Sequence, residues 1–423
     1  MFGLESWRGS FRGKSSKSPS HSQGSGNSPI PEEVSNGDSW PVSDEESEIL
    51  SKFKERVINL LPEESQQDHE LLRWLKARNF DLDKAELMLK NNIVWRREWG
   101  IDELLDWKPP EVLLKYYPVG QIGHDKAGRP VWIIPFGGCD MYGLLMSVSK
   151  KNYMKYTFQT LEMARADMKK QSELLGCPVT QQTTIFDMEN FSLKNVTWKP
   201  ALDVVLQIVQ MYEANYPEFL HCAYVINAPA IFTAAYAMIR PFLHEVTMKK
   251  ICIYGHNGWK EDILKVIDEN ELPQHWGGTK TDSDGNPKCP SLVCLGGEVP
   301  TELYQNQNNI DKISEENFEH IVVGRGGKKK IEIEVIQPGT VLKWQFNTKD
   351  HDICFGIKRK VTKGDDEMLQ PVQRVNSHFV TEEGSLYCTQ PGTYVLIFDN
   401  SYSYMRAKNV FHSIDIELPK NKK

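Results

Sequence analysis

At 423 residues the chain is long enough for two or three hydrophobic cores, and its 40% hydrophobic and 25% charged residues are those of a globular protein. The formal net charge of -7 argues against a nucleic-acid binder, which carries a basic excess, but leaves room for a local basic patch to dock on anionic lipid. Eight cysteines are scattered without a CxxC pair, and Cys289 with Cys294 has no second ligand pair nearby, which argues against a structural zinc site.

Residues 1–43 read as a disordered arm, since Gly13 to Pro41 is dominated by Ser, Pro, Gly and Asn. At its start Leu4, Trp7 and Phe11 fall at helical spacing among Arg8, Arg12, Lys14 and Lys17. Such a segment is either an unstructured tail or a short interfacial helix on anionic lipid. Phosphorylation at Ser18-Pro19 or Ser28-Pro29 would weaken the second role by adding negative charge. The N-terminus has no secretory signal, and Cys222, Cys252 and Cys354 read as buried thiols, so a reducing cytosolic setting is expected.

Ser43 and Glu46 form a capping box, followed by helical periodicity at Ile49, Leu50, Phe53 and Val57. Apolar residues then recur at spacings of three and four: Leu71, Leu72, Leu75, Leu82, Ala85, Leu89 and Ile93. Residues 44–108 are thus expected to form an all-α cap. From 109 to 299, short apolar runs at Val131–Phe136, Thr183–Phe186, Ala223–Ile226 and Ile251–Tyr254 alternate with long amphipathic stretches, Lys150–Leu175 and Trp198–Tyr216. That alternation predicts an α/β domain with a mostly parallel sheet covered by helices.

Strand alternation places Gln182, Thr184 and Phe186 on one face, a gradient from polar to apolar, with Ala223 and Val225 on one face of the next strand. The longest apolar stretch, Cys222–Ile239, is broken by Asn227 and Pro229, so it reads as a buried strand followed by an apolar helix rather than a membrane span. Within Asn227–Phe242, the residues Ile231, Phe232, Ala235, Tyr236, Met238 and Ile239 leave little polar circumference. This segment is either a buried core helix or a door that meets lipid.

Residues 300–318 are a polar linker, after which the period becomes two: Ile331, Ile333 and Val335 alternate with Glu332 and Glu334, and Trp344 and Phe346 continue the pattern. With turns at Pro338-Gly339 and Pro391-Gly392, residues 319–419 are expected to form an all-β sandwich. Asp399-Asn400 reads as a strand-ending turn and Gly324–Gly327 as a loop.

Three segments, LLRWLKARNFD (71–81), NYPEFL (215–220) and RPFLHEVTMKK (240–250), resemble the CRAL-TRIO family of lipid carriers. PGTYVLIFDNSYS (391–403) resembles the GOLD β-domain, as do VLKWQF, HDICFGI, NSHF and FHSIDIEL in order. The pairing is similar to the supernatant protein factor, or tocopherol-associated, branch of the family. The resemblance implies a lipid headgroup held by Arg78, Glu218 and Lys250 with Thr184. It also implies an apolar pocket lined by Trp132, Gln182, Phe186, Ala223, Val225, Phe232 and Tyr236, gated by the Asn227–Phe242 segment. At the positions that contact phosphatidylcholine in the family's transfer proteins, this chain carries Gln121, Trp132, Gln182 and Tyr212, which argues for a bulkier second ligand.

No GxSxG elbow, HExxH or P-loop occurs, so no catalysis, metal or cofactor is expected. Two readings stand. One is a cytosolic carrier or sensor with peripheral membrane association, exchanging phosphatidylinositol, tocopherol, squalene or a related isoprenoid with membranes. The other is a lipid-regulated adaptor in trafficking or signalling that acts on a protein partner through the GOLD domain. Nucleic acid is expected in neither.

Overall fold

Ser43 opens the first helix, α1 (Asp44–Val57), through the predicted capping box: its side chain accepts from Glu46 N while the Glu46 carboxylate takes Ser43 N. Helices α2 (Asp68–Lys76) and α3 (Leu82–Trp99) follow, and the apolar stripes of the three close on Phe53, Val57, Leu71, Leu75, Ala85 and Leu89. Gly100, at φ 59, ends α3 in the left-handed conformation that a residue without Cβ adopts readily. This computed structural model describes residues 42–192, 198–305, 318–349, 351–361 and 366–419. The basic-apolar segment of the arm and both Ser-Pro sites lie outside the described residues.

A short helix, α4 (Glu111–Tyr116), leads into a five-stranded sheet of β1 (Gly120–His124), β2 (Pro130–Ile134), β3 (Gln182–Asp187), β4 (Leu220–Ile226) and β5 (Ile251–Ile253) in that spatial order. The β1 and β2 strands are antiparallel; every later pair is parallel. Parallel neighbours need crossovers, and these are α5 (Met141–Ser147) with α6 (Lys150–Leu175), then α7 (Lys199–Asn215), then α8 (Phe232–Ile239) with α9 (Glu245–Lys249). A last helix, α10 (Trp259–Val266), packs on the opposite face. The apolar stretch 222–239 is thus strand and helix as expected, with Asn227 at φ 53 turning the chain between them.

The remaining strands build two four-stranded antiparallel sheets, as the sandwich reading required. One has the order β10-β9-β12-β7, from β7 (Lys328–Val335), β9 (Ile353–Arg359), β10 (Glu367–Val375) and β12 (Gly392–Asp399). The other has the order β11-β8-β13-β6, from β6 (Glu319–Val323), β8 (Thr340–Lys349), β11 (Glu382–Cys388) and β13 (Lys408–Glu417). Leu342, Trp344, Phe346, Phe355, Leu396 and Phe398 interdigitate between them.

Two local expectations fail here. The segment NSHF (376–379) is a turn, fixed by Ser377, whose hydroxyl lies 2.8 Å from Thr348 Oγ1 in the core. Cys354 is only half-buried, because Ile353, Phe355 and Ile357 take the inward positions of β9. Strands β10 and β11 carry no strong apolar alternation, and Pro371 is tolerated in β10 because that strand is terminal in its sheet.

Contacts divide the chain into two compact units that part between Lys312 and Ile313. The helices and five-stranded sheet belong to one, the sandwich to the other.

Candidate functional site

Alternate residues of the five-stranded sheet meet different neighbours. Val131, Ile133, Ile185, Tyr224 and Ile226 face Trp259, Ile263, Trp276 and Val293 and are fully covered. On the other face, register aligns Trp132, Thr184, Ala223 and Ile251 in one row across β2 to β5. Ile134, Phe186, Val225 and Ile253 form the next row. Phe186, Val225 and Ile251 then pack with Phe191 and with Phe232, Ala235, Tyr236 and Met238 of α8.

This second face is incompletely covered. Ile231 and Ile253 remain 46% and 45% exposed, and Phe242, in the short 3-10 turn after α8, is also exposed. Helix α7 is strongly apolar, yet apart from Ala201 and Val204 its apolar side chains are only partly buried. The sheet face between α7 and the Ile231–Phe242 segment is therefore an incompletely covered apolar surface, a candidate groove for a ligand. Ile231, Phe232, Ala235, Tyr236, Met238 and Ile239 all belong to its rim; of these, Phe232 and Ala235 are buried, Ile231 is exposed and the others are intermediate.

One end of the groove is charged. Lys250 Nζ donates to Glu218 Oε2 at 2.9 Å, with both side chains about four-fifths covered. Glu218 is held by its backbone: its φ of 55 is left-handed, and Gln181 Nε2 donates to the carbonyls of Glu218 and Leu220. Lys250 caps α9, its N–H donating to Thr247 O while its own carbonyl accepts from Ala223 N on β4. Gln182 and Thr184 are buried, with Gln182 Nε2 3.4 Å from Thr184 Oγ1.

Arg78 neighbours a different anion from Lys250. Its Nη1 donates to Ala77 O, burial lowers its pKa, and the anion that offsets this is Glu213, not Glu218. The cation that joins Glu218 and Lys250 is Lys76. Burial depresses its ammonium, Glu218 and Glu46 favour the charge, and Lys250 opposes it. Lys76 lies two residues before Arg78 in the same segment, and the last turn of α2 brings it in; no spacing rule singled it out.

Three buried polar atoms around the groove lack a hydrogen-bond partner: Trp132 Nε1 on the sheet, and Tyr212 Oη and Glu213 Oε1 on α7. An unsatisfied buried group of this kind costs about 1–3 kcal/mol. Burial pushes the Glu213 carboxyl above its ordinary range, against a hydrogen bond from Thr247 and the charges of His244, 3.7 Å away, and Lys250. Gln121, by contrast, is turned to Asp167 of α6, which it shares with His124 at 2.7 Å each.

The charged end is tied to the helical cap. Arg96 of α3 makes a two-pronged ion pair with Glu162 of α6 at 3.0 and 3.1 Å, and Tyr216 Oη donates to Glu162 at 2.9 Å. Asn92 Nδ2 donates to the Asn215 carbonyl at 3.3 Å. The residues immediately before Glu218 are therefore anchored to two helices.

Outside the groove, Asp187, Glu189 and His275 bring candidate metal-ligand atoms within 4.8 Å of one another. The Asp187 oxygens already accept from Trp276 Nε1, Asn227 Nδ2 and Glu189 N, so the trio is explained as a junction that fastens the end of β3. Among the described residues, no helix is long and apolar enough to cross a membrane.

An α/β body with one sheet face sealed and the other opening on an apolar groove with a charged end defines a domain suited to an amphipathic ligand. Residues 114–278 match the model of the CRAL/TRIO domain, and residues 45–91 that of the CRAL/TRIO N-terminal domain. Protein ctg-1 of Caenorhabditis elegans is 31% identical over 357 residues, 83% of this chain and 91% of the relative. The CRAL-TRIO domain-containing protein T23G5.2 of the same organism is 31% identical over 300 residues, 69% of this chain but 40% of that relative. The crystal structure of Sfh5 is similar over 64% of this chain and 98% of its own, at 18% identity and a TM-score of 0.46. The chain belongs to the CRAL-TRIO family of lipid-binding proteins.

Proposed function

We propose that this protein is a carrier or sensor that holds one lipid in the groove and exchanges it with membranes. The observation that supports this most strongly is the pairing of an incompletely covered apolar sheet face, where Ile231, Phe242 and Ile253 stay exposed, with the partly covered charges of Lys76, Glu218 and Lys250. A phospholipid answers both needs. Its acyl chains cover Phe186, Val225 and Ile253, and its headgroup supplies acceptors and donors at the charged end.

Keeping two acyl chains out of water is worth on the order of 20 kcal/mol, at about 0.8 kcal/mol per methylene, so the carrier needs a dry groove and a door rather than a nucleophile. We assign it no catalytic activity. The door is the Ile231–Phe242 segment, whose exposed apolar side chains meet the bilayer when it opens. Lys76 and Lys250 hold a phosphate, Glu218 accepts from ring hydroxyls, and Arg78 acts through Glu213 at the edge of the same site. Phosphatidylinositol fits this set; tocopherol, squalene or another isoprenoid uses the groove without the charges.

The domain division goes with this reading: an arm (1–43), a helical cap (44–108), a lipid-binding domain (109–299), a linker (300–318) and a GOLD-like sandwich (319–419), in a protein that works in the cytoplasm at membrane surfaces.

Native mass spectrometry of protein purified from cells, wild type beside Lys250→Ala, tests the assignment. Phosphatidylinositol bound to the wild type and reduced at least about tenfold in the variant, equivalent to about 1.4 kcal/mol, is the expected result. Tocopherol or an isoprenoid bound equally in both would keep the groove and discard the headgroup site. No lipid in either would transfer the weight to an adaptor acting through the sandwich.

A further inference from the structure

The lipid reading leaves one side of the sandwich unused. Between β7 and β13 lies a slot of about 650 Å³ lined by residues 331–334 and 412–416 with Glu319. β7 is the terminal strand of its sheet, so among the described residues one of its backbone edges is unpaired. Among the described residues, β6 pairs with β13 only as far as His412, and from Ser413 onward β13 is bonded to β8 alone. Two open strand edges therefore border one slot.

The chemistry of the slot is specific. Ile331, Ile333 and Ile414 form an apolar floor continuous with the sandwich core. His412 is buried beneath it, with Nε2 lacking a hydrogen bond and 3.8 Å from Glu319 Oε2. The rim is acidic, with Glu319, Glu332, Glu334 and Asp415, and among the described residues no lysine or arginine lines it. Lys360 meets Glu332 at 2.7 Å, Thr393 donates to Glu334 at 2.9 Å and Asp415 lies opposite Lys343 of β8, so Asp415 and Glu334 are only partly offset among the described residues. Lys328, Lys329 and Lys330 confine the acidic stretch to the second half of β7.

We infer that this slot takes an extended, basic segment of a partner protein, added as a strand along the free edge of β7. A strand presents side chains alternately, so apolar ones enter over Ile331, Ile333 and Ile414 while lysines or arginines meet Glu334 and Asp415. The open edge supplies the backbone hydrogen bonds. A second copy, pairing β7 antiparallel with itself so that Lys328 and Lys330 meet Glu334 and Glu332, is the competing occupant that the test separates. The basic arm is a poorer match, since Leu4, Trp7 and Phe11 repeat at helical rather than alternate spacing. This inference is independent of which lipid the groove holds.

The test titrates the full chain into two fluorescent octapeptides, one alternating lysine and valine, the other glutamate and valine, and reads anisotropy. The lysine peptide should bind at least about tenfold more tightly, and Glu334→Lys with Asp415→Lys should abolish or reverse that preference without lowering the melting temperature. Equal binding of both peptides, no binding of the lysine peptide, or indifference to the charge reversal overturns the proposal. Tighter binding after removal of residues 1–28 reassigns the slot to the arm. A dimer seen by ultracentrifugation and dissolved by the charge reversal reassigns it to a second copy.

Discussion

The two faces of the five-stranded sheet come from alternate residues of the same strands, yet they are finished differently. On the α10 side, Val131, Ile133, Ile185 and Ile226 are wholly covered, and Trp276 closes the layer with its indole N–H on Asp187. On the α7 side, Trp132 is buried with its indole N–H unsatisfied, and Ile253 is almost half exposed. The tryptophan packed against the sealed face has a partner, and the one carried by β2 on the other face does not. A fold needs only one sealed face for stability, and the second is then free to be completed by something that comes and goes.

The contrast is broken most directly by truncating neighbours in β3. Ile185→Ala, on the sealed face, should lower the unfolding free energy by about 3 kcal/mol in urea titrations, since the packed surroundings cannot collapse into the cavity. Phe186→Ala, one residue along and only partly buried, should cost less than half of that while shortening lipid retention. Equal losses of stability would mean that the two faces are packed alike.

Smaller effects sharpen the picture. Met238→Glu on the door should slow lipid transfer between vesicles about tenfold, roughly 1.4 kcal/mol, with unchanged far-UV circular dichroism. Unaltered kinetics would remove α8 from the gate. Glu213→Gln addresses the charged end. Because burial raises the folded pKa of Glu213, its favourable contribution is complete below the unfolded carboxylate value and is lost as pH rises through the folded one. The glutamine variant should therefore be more stable than wild type at pH 7, with the two stability curves converging below about pH 4. Parallel curves across that window would place the Glu213 carboxyl in water.

Periodicity carried most of the fold. The change from a period near 3.6 in α1–α3 to alternation in β7 and β8 marked both the helical cap and the sandwich. It failed where strands are not apolar: β1 reads GQIGH, β11 reads EEGSLYC, and β10 contains a proline. These strands are held by backbone pairing at sheet edges, which leaves little pattern in the side chains. In the site, strand alternation set Trp132, Thr184 and Ala223 in one row, and motif likeness singled out Glu218 and Lys250, which lie 2.9 Å apart. Lys76 was not legible beside Glu218, because the fold joins the two across more than a hundred residues of sequence. Motif likeness also singled out Arg78, but not its anionic neighbour Glu213.

The left-handed backbone at Glu218 has a consequence for anyone surveying variants of this protein. A glutamate at φ 55 holds about 1–2 kcal/mol of strain that glycine does not. Glu218→Gly therefore removes the carboxylate opposite Lys250 and relaxes the chain in one step, so the two effects on stability oppose each other. Melting curves would pass such a variant as healthy while its charged end had lost its anion, and abundance in cells would give no warning either. At this position only a direct measurement of bound lipid distinguishes a working protein from a well-folded bystander.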